Sequence, residues 1–259
     1  MGRKGMIGKV EKYLLDRIRR DGAVHLTLID PEKVTTASAT QTALTVGKLD
    51  TTAIMIGGST AMSTTHLDKV IKSIKKATKL PVILFPNNVT GISKYADAIW
   101  FMSLINSLDP YFLIGAQILG APMVKKYGLE AIPLGYIIVG EGGAAGIVGR
   151  AATIPHDKPE LAVAHALAAQ YLGMRFIYLE GGSGASRPVP PEMIRMVKSQ
   201  LNIPLIVGGG IRTSEQVKKI VAAGAELVVT GTAIEQDSST GKIQELIESV
   251  KNAKKSVVT

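Results

Sequence analysis

A chain of 259 residues, 46% hydrophobic and 20% charged, is long enough to bury one large core, and its length matches a single α/β barrel of roughly 250 residues. Cysteine is absent, which excludes disulfides and thiolate metal sites and fits a reducing, cytoplasmic setting. Thirty Lys and Arg against 21 Asp and Glu give a net charge of +9, a field that gathers anions such as phosphorylated metabolites or an anionic lipid surface. The basic residues are scattered along helix faces with no alternating aromatics, so nucleic acid is not an expected partner. No apolar leader stands in the first twenty residues, and the most apolar helical stretch, 111–124, is too short for a bilayer span of about 20 residues. Peripheral contact with a membrane is the most this composition allows.

In chain order, eight short apolar, β-branched runs occupy 24–30, 52–57, 81–86, 98–104, 132–140, 176–181, 204–209 and 227–231. Amphipathic stretches follow most of them. Near-continuous apolar strands alternating with helices predict a parallel sheet covered on its outside, and eight such units in one domain spanning 1–259 predict a closed (β/α)8, or TIM, barrel. Ser63 is placed to start a helix over 64–77 that carries Leu67, Val70, Ile71 and Ile74 on one face. Thr213 with Gln216 forms a capping-box pattern ahead of Val217, Ile220 and Val221, and Pro155 and Pro190–Pro191 stand where first-turn prolines belong. Only eleven residues, 87–97, separate the third run from the fourth, too few for a crossover helix with two loops. The helix after the third strand is therefore expected to be missing or irregular. Apolar residues lie nearly all round the helix of 111–124, which predicts burial against a second subunit or a long apolar substrate, and hence a homo-oligomer such as a dimer or hexamer.

Chemistry in such a barrel belongs at the C-terminal ends of the strands. Three late strand ends carry glycine: Gly181, Gly182, Ser183 and Gly184; Gly208, Gly209 and Gly210; and Gly231 with Thr232. Backbone without side chains can surround an anion with N–H groups, which predicts a phosphate site there. Asp30 ends the first run before Pro31, with Ser59 and Thr60 at the neighbouring strand end. These oxygens are either magnesium ligands or helix caps. Glu180 is either a general base, an anchor for a substrate hydroxyl, or a partner in an ion pair, and Glu141 is a second carboxylate candidate. His25, His66, His156 and His165 show no metal-ligand spacing.

The motifs LIDPEK (28–33), MIGGST (55–60), ILFPNN (83–88), YLEGGSGAS (178–186), VGGGIRT (207–213) and TGTAIE (230–235) together resemble the geranylgeranylglyceryl phosphate synthases. These form one prenyltransferase family with the heptaprenylglyceryl phosphate synthases, and the chain looks more like the larger archaeal-type group. The resemblance implies a barrel lacking the conventional third helix. It also implies transfer of geranylgeranyl from its diphosphate to the 3-hydroxyl of sn-glycerol 1-phosphate, the first ether bond of archaeal membrane phospholipids. It further implies Mg²⁺ on Asp30 and Ser59, and glycerol phosphate on Tyr178, Leu179, Glu180, Gly181, Gly182, Ser183, Gly184, Gly209, Gly210, Gly231 and Thr232. Thr232 departs from the asparagine common in the family at that position. The competing readings are another phosphate-binding barrel enzyme, an isomerase or lyase, and a prenylglyceryl phosphate synthase of different chain length.

Overall fold

A computed structural model describes residues 7–58, 63–231 and 240–253. The first helix, α1 (Lys9–Asp21), has Val10, Leu14 and Ile18 on one buried face. It is followed by β1 (Val24–Ile29), a 3₁₀ turn at Pro31–Lys33, α2 (Thr36–Lys48), β2 (Ala53–Ile56), α3 (Thr64–Ala77), β3 (Val82–Leu84) and β4 (Ala98–Leu104). A π-helical turn at Tyr111–Gly115 leads into α4 (Ala116–Tyr127), then β5 (Glu130–Ile138), α5 (Gly143–Val148), α6 (Pro159–Tyr171) and β6 (Phe176–Glu180). Then come α7 (Pro191–Gln200), β7 (Leu205–Gly208), α8 (Ser214–Ala222), β8 (Leu227–Thr230) and, last among the described residues, α9 (Thr240–Ala253).

All eight strands are parallel and pair in sequence order, and β8 returns to β1 with Val24 beside Leu227, so the sheet is a closed barrel. The expected (β/α)8 fold is the one found. Side chains alternate across each strand. Leu26, Met55, Ile83, Trp100, Leu134, Phe176, Ile206 and Leu227 pack together inside, while Ile54, Val82, Ile177 and Val207 face the surrounding helices. The same alternation carried one step further turns Asp30, Phe85, Tyr136, Tyr178 and Glu180 inward at the C-terminal mouth.

The opposite end is closed by α1, whose apolar face joins the interior cluster. The Glu130 carboxylate accepts from the N–H groups of Val10 and Glu11, both at 2.8 Å, and so satisfies the start of that helix. Arg175 grips the buried Glu11 carboxylate at 2.7 Å with two guanidinium nitrogens. This closed end leaves the mouth as the place for chemistry.

Between β3 and β4 there is a 3₁₀ turn at Val89–Gly91 and otherwise irregular chain, as the short spacing predicts. Ile99 and Phe101 on the outer face of β4 are covered by α4 and this strap. Two expectations are corrected. Pro155 starts no helix, because a turn intervenes and α6 begins at Pro159. The apolar stretch after β4 is one π turn followed by a shorter α-helix, with Gly120 and Val124 buried and Ile114, Ile118 and Leu119 exposed. Among the described residues no helix is long and apolar enough to cross a membrane.

A polar seam lies behind β1. His25 faces outward yet is buried, with Nδ1 2.8 Å from Thr51 Oγ1 and Nε2 2.8 Å from Thr230 Oγ1. Thr51 Oγ1 also lies 3.1 Å from both the His25 carbonyl and Thr27 Oγ1, so each ring nitrogen has a hydroxyl partner within a buried polar network. Burial pushes the imidazole pKa down to about 3. The unfolded chain, with an ordinary value of about 6.5, therefore binds this proton first as pH falls. The stability that neutral His25 contributes is complete above about pH 6.5 and is lost toward pH 3, at up to about 1.4 kcal/mol per pH unit. His25→Gln is expected to be less stable than the parent at pH 8 but to lose stability less steeply between pH 6.5 and 4. Urea unfolding across that range measures the two slopes.

Candidate active site

Strand β6 delivers two polar side chains to the mouth. Glu180, its last residue, is buried, and its Oε1 accepts the Gly182 N–H at 2.6 Å. The hydroxyls of Tyr178 and Tyr136 donate to the same carboxylate. Burial pushes the Glu180 pKa up, outweighing these three donors, which act to lower it. Burial, together with the Glu180 charge, likewise raises both tyrosine hydroxyls well above the ordinary range. A carboxylate poised in this way is a stronger proton acceptor than a solvated one. No ion pair with Lys or Arg forms at Glu180 among the described residues, which leaves the general-base and anchor readings of this residue.

Two glycines of β7 and its loop make room for that cluster. A Cβ at Gly208 would overlap the Tyr178 hydroxyl. One at Gly209 would overlap Glu180 Oε1 and lie 2.5 Å from the Gly182 nitrogen, and the backbone there has φ +82°, which disfavours any side chain. Ser183, Gly184, Gly209, Gly210 and Gly231 line one cavity with Tyr178 and Glu180. Three of the predicted glycine-bearing strand ends are thus brought together. Leu179 is different: its side chain packs outward among the helices, leaving only its backbone on the mouth side. Thr232 and Ser59, with Thr60, lie outside the described residues.

Asp30 turns inward at the end of β1, with its carboxylate against the Cα of Gly58, where an added Cβ would come within 2.5 Å of Oδ1. Oδ1 accepts from the Glu32 N–H at 3.1 Å, so the capping role expected of Asp30 is realised on the 3₁₀ turn. Oδ2 lies 3.4 Å from the half-exposed Lys33 ammonium, and the Asp30 side chain is only 13% exposed. One sheltered oxygen pair at the mouth suits a hard cation that takes its other ligands from substrate and water. No group of three or more His, Cys, Asp or Glu that could hold a metal occurs among the described residues. Ser63 caps α3, accepting from the His66 N–H.

Glu141 sits outside the main cavity. Its carboxylate accepts from the Ser186 hydroxyl and from the Ser186 N–H at 3.4 Å, bracing the loop after β6. Those bonds hold its pKa below the ordinary value, the hydroxyl first. His66 ties α3 to the Asp30 turn through the carbonyls of Pro31 (2.9 Å) and Val34 (3.1 Å), and His165 Nδ1 bonds the Leu161 carbonyl of its own helix at 2.7 Å.

The cavity continues from the glycine loops across Leu28, Phe85 and Tyr136 and out past Ile99 and Phe101 to the groove between α4 and the 86–97 strap. Val89, Ile92, Gly120 and Val124 line that groove, so it occupies the place a regular third helix would fill. Phe85 meets Tyr136 edge-on at 5.3 Å and stacks on Tyr178 at 5.5 Å, forming an aromatic floor where the polar and apolar halves meet. Sequence reasoning missed Phe85 and Tyr136. Counting alternate residues along the third and fifth strands to the mouth would have found both.

A sequence profile of the PcrB family matches residues 16–253. The geranylgeranylglyceryl phosphate synthase of Thermofilum pendens is 53% identical over 234 residues, covering 90% of this chain and 91% of its own. That of Pyrococcus abyssi is 52% identical over 249 residues, covering 96% and 99%. Among solved structures, the (S)-3-O-geranylgeranylglyceryl phosphate synthase of Thermoplasma acidophilum, in complex with its substrate sn-glycerol-1-phosphate, superposes with a TM-score of 0.90 at 40% identity. It covers 95% of this chain and 100% of its own. With its glycine-lined mouth, buried Glu180 and matching length, the chain belongs to the PcrB family.

Proposed function

We propose that this barrel transfers a geranylgeranyl group from its diphosphate to the 3-hydroxyl of sn-glycerol 1-phosphate, making the first ether bond of archaeal membrane phospholipids. One observation carries the reading: a single cavity joins an anion cup floored by a buried carboxylate to a long apolar groove. The first half suits a phosphorylated polyol and the second a prenyl chain. An isomerase or lyase acting on a sugar phosphate would gain nothing from a groove of Val89, Ile92, Phe101 and Val124. The names of the relatives, and the glycerol phosphate complex of the Thermoplasma acidophilum enzyme, agree with the acceptor.

The glycine loops hold the phosphate so that the glycerol hydroxyls reach Glu180, which turns a bimolecular encounter into an oriented one. Glu180 accepts the proton of the 3-hydroxyl while that oxygen forms a bond to the allylic C1. The bond from C1 to the diphosphate oxygen breaks, and diphosphate leaves with the electron pair. Tyr136 and Tyr178 keep the carboxylate aimed. The rings of Phe85 and Tyr136 offer π density where C1 gains cationic character. Asp30, with Ser59, would hold Mg²⁺, which when bound supplies charge neutralisation for the leaving diphosphate. The apolar lining of the groove keeps water from competing for C1.

A related synthase of another chain length would use the same cup, so the donor of 20 carbons is set by the groove and not by the glycine loops. The exposed Ile114, Ile118 and Leu119 beside the groove support a homo-oligomer in which a second copy covers α4. The enzyme would act in the cytoplasm, with basic helix faces toward the membrane that receives its product.

Incubation with radiolabelled glycerol 1-phosphate and prenyl diphosphates of 10 to 35 carbons, with and without Mg²⁺, is expected to yield a lipid-soluble phosphate. The 20-carbon donor should be preferred, and EDTA should suppress the product; none at all would sink the assignment. Glu180→Gln is expected to lower kcat by about 10²- to 10⁴-fold with a far smaller change in glycerol phosphate affinity. Gly209→Ala should weaken glycerol phosphate binding at least tenfold in calorimetric titration, through displacement of Glu180 and the strained φ. Light scattering on the full chain is expected to give more than one protomer, and Ile118→Lys to reduce that number.

A further inference from the structure

The chain carries a net charge of +9, yet the cavity that must hold a phosphate and a diphosphate has one cationic side chain among its described lining residues, Arg212. The stretches 59–62 and 232–239, next to the mouth in sequence, contain no Lys or Arg. Arg212 stands between the glycine turn of β7 and Thr213, the N-cap of α8. Its backbone is fixed, because its own N–H and that of Thr213 both donate to Gln216 Oε1, at 2.7 and 3.1 Å. From there the guanidinium reaches the β6 loop, where Nη2 donates to the Gly184 carbonyl at 3.1 Å.

This position is unfavourable for a cation on local grounds. It lies at the positive end of the α8 dipole, where an anion is preferred. A like-sign charge kept at such a place is expected where an anion is held between the two. A guanidinium also presents a planar fork of donors, so one edge can hold Gly184 while another meets phosphoryl oxygens.

We propose that Arg212 binds the phosphate of glycerol 1-phosphate and, by joining the β6 and β7 loops, sets the preference for a phosphorylated acceptor over an uncharged polyol. This rests on the prenyltransferase reading above. The geometry assigns the acceptor phosphate, not the donor diphosphate, because both loops that Arg212 joins belong to the glycine cup beside Glu180.

The test compares the full-length parent with Arg212→Lys, Arg212→Gln and Arg212→Ala. In Gln and Ala, the KM for glycerol 1-phosphate is expected to rise about 10- to 100-fold, the size of a lost charged hydrogen bond, with kcat and the prenyl diphosphate KM within about threefold. Lysine should fall between, and guanidinium ion should partly restore the Ala variant. Titration with inorganic phosphate alone should show the same weakening, independently of turnover. An unchanged glycerol phosphate KM, or a rise confined to the prenyl diphosphate, overturns the assignment of Arg212 while leaving the reaction intact. A parent enzyme that forms no ether product overturns the reaction itself, and the phosphate titration still judges Arg212.

Discussion

A carboxylate buried at the end of a barrel strand has to be satisfied by whatever its neighbours supply. At Glu180 those neighbours are the Gly182 N–H and two tyrosine hydroxyls, with no Lys or Arg paired to it among the described residues. Much of the surrounding structure follows from that need. Gly208 gives way to the Tyr178 hydroxyl, Gly209 gives way to the carboxylate itself, and Phe85 packs both tyrosines into place. The Gly182 N–H that satisfies the acid belongs to the same glycine turn that lines the cavity, so a change to either the carboxylate or the turn disturbs the other.

The second half of the site comes from something left out. Thirteen residues between Leu84 and Ala98 cannot hold a helix and two loops, so the outer face of β4 lacks its regular cover. Ile99, Phe101, Ile92 and Val124 then form an apolar groove that runs into the barrel mouth. An enzyme joining a polar phosphate to a long hydrocarbon needs two solvents in one cavity. Here the closed barrel provides the polar one and the omitted helix the other. Ile114 of the π turn and Ile118 and Leu119 of α4 face away from this groove and remain exposed.

Support for the cup extends behind the sheet. Thr230 precedes Gly231 and is held by His25, which is held in turn by Thr51. On the other side Glu141 braces Ser186, in the loop that contains Gly182 and Gly184. Neither His25 nor Glu141 lines the cavity, and each holds a residue next to the glycine turns, Thr230 in one case and Ser186 in the other. Glu141 entered as a candidate for chemistry because of its residue type and strand end. Its position assigns it to the supporting structure.

Eight apolar runs, their order, the short third connection and the glycine-bearing ends were all legible in the amino-acid sequence, because strand periodicity and backbone freedom are local properties. Glu180 and Asp30 stood out for the same reason, as carboxylates directly after apolar strands. What local pattern could not rank was the company each keeps. Tyr136 reaches Glu180 only because β5 pairs with β6 in a register that sets Tyr136 beside Tyr178. Leu179, in the same motif, is turned away by the alternation that brings Tyr178 and Glu180 in. Arg212 reads as one basic residue among thirty until closure of the barrel sets it beside the glycine loops, the one cationic side chain among the described residues that line the cavity. The sequence by itself determined the barrel and the strand ends at which chemistry occurs. Tertiary closure decided which side chains share the mouth, because distance across a barrel depends on strand register and not on separation along the chain.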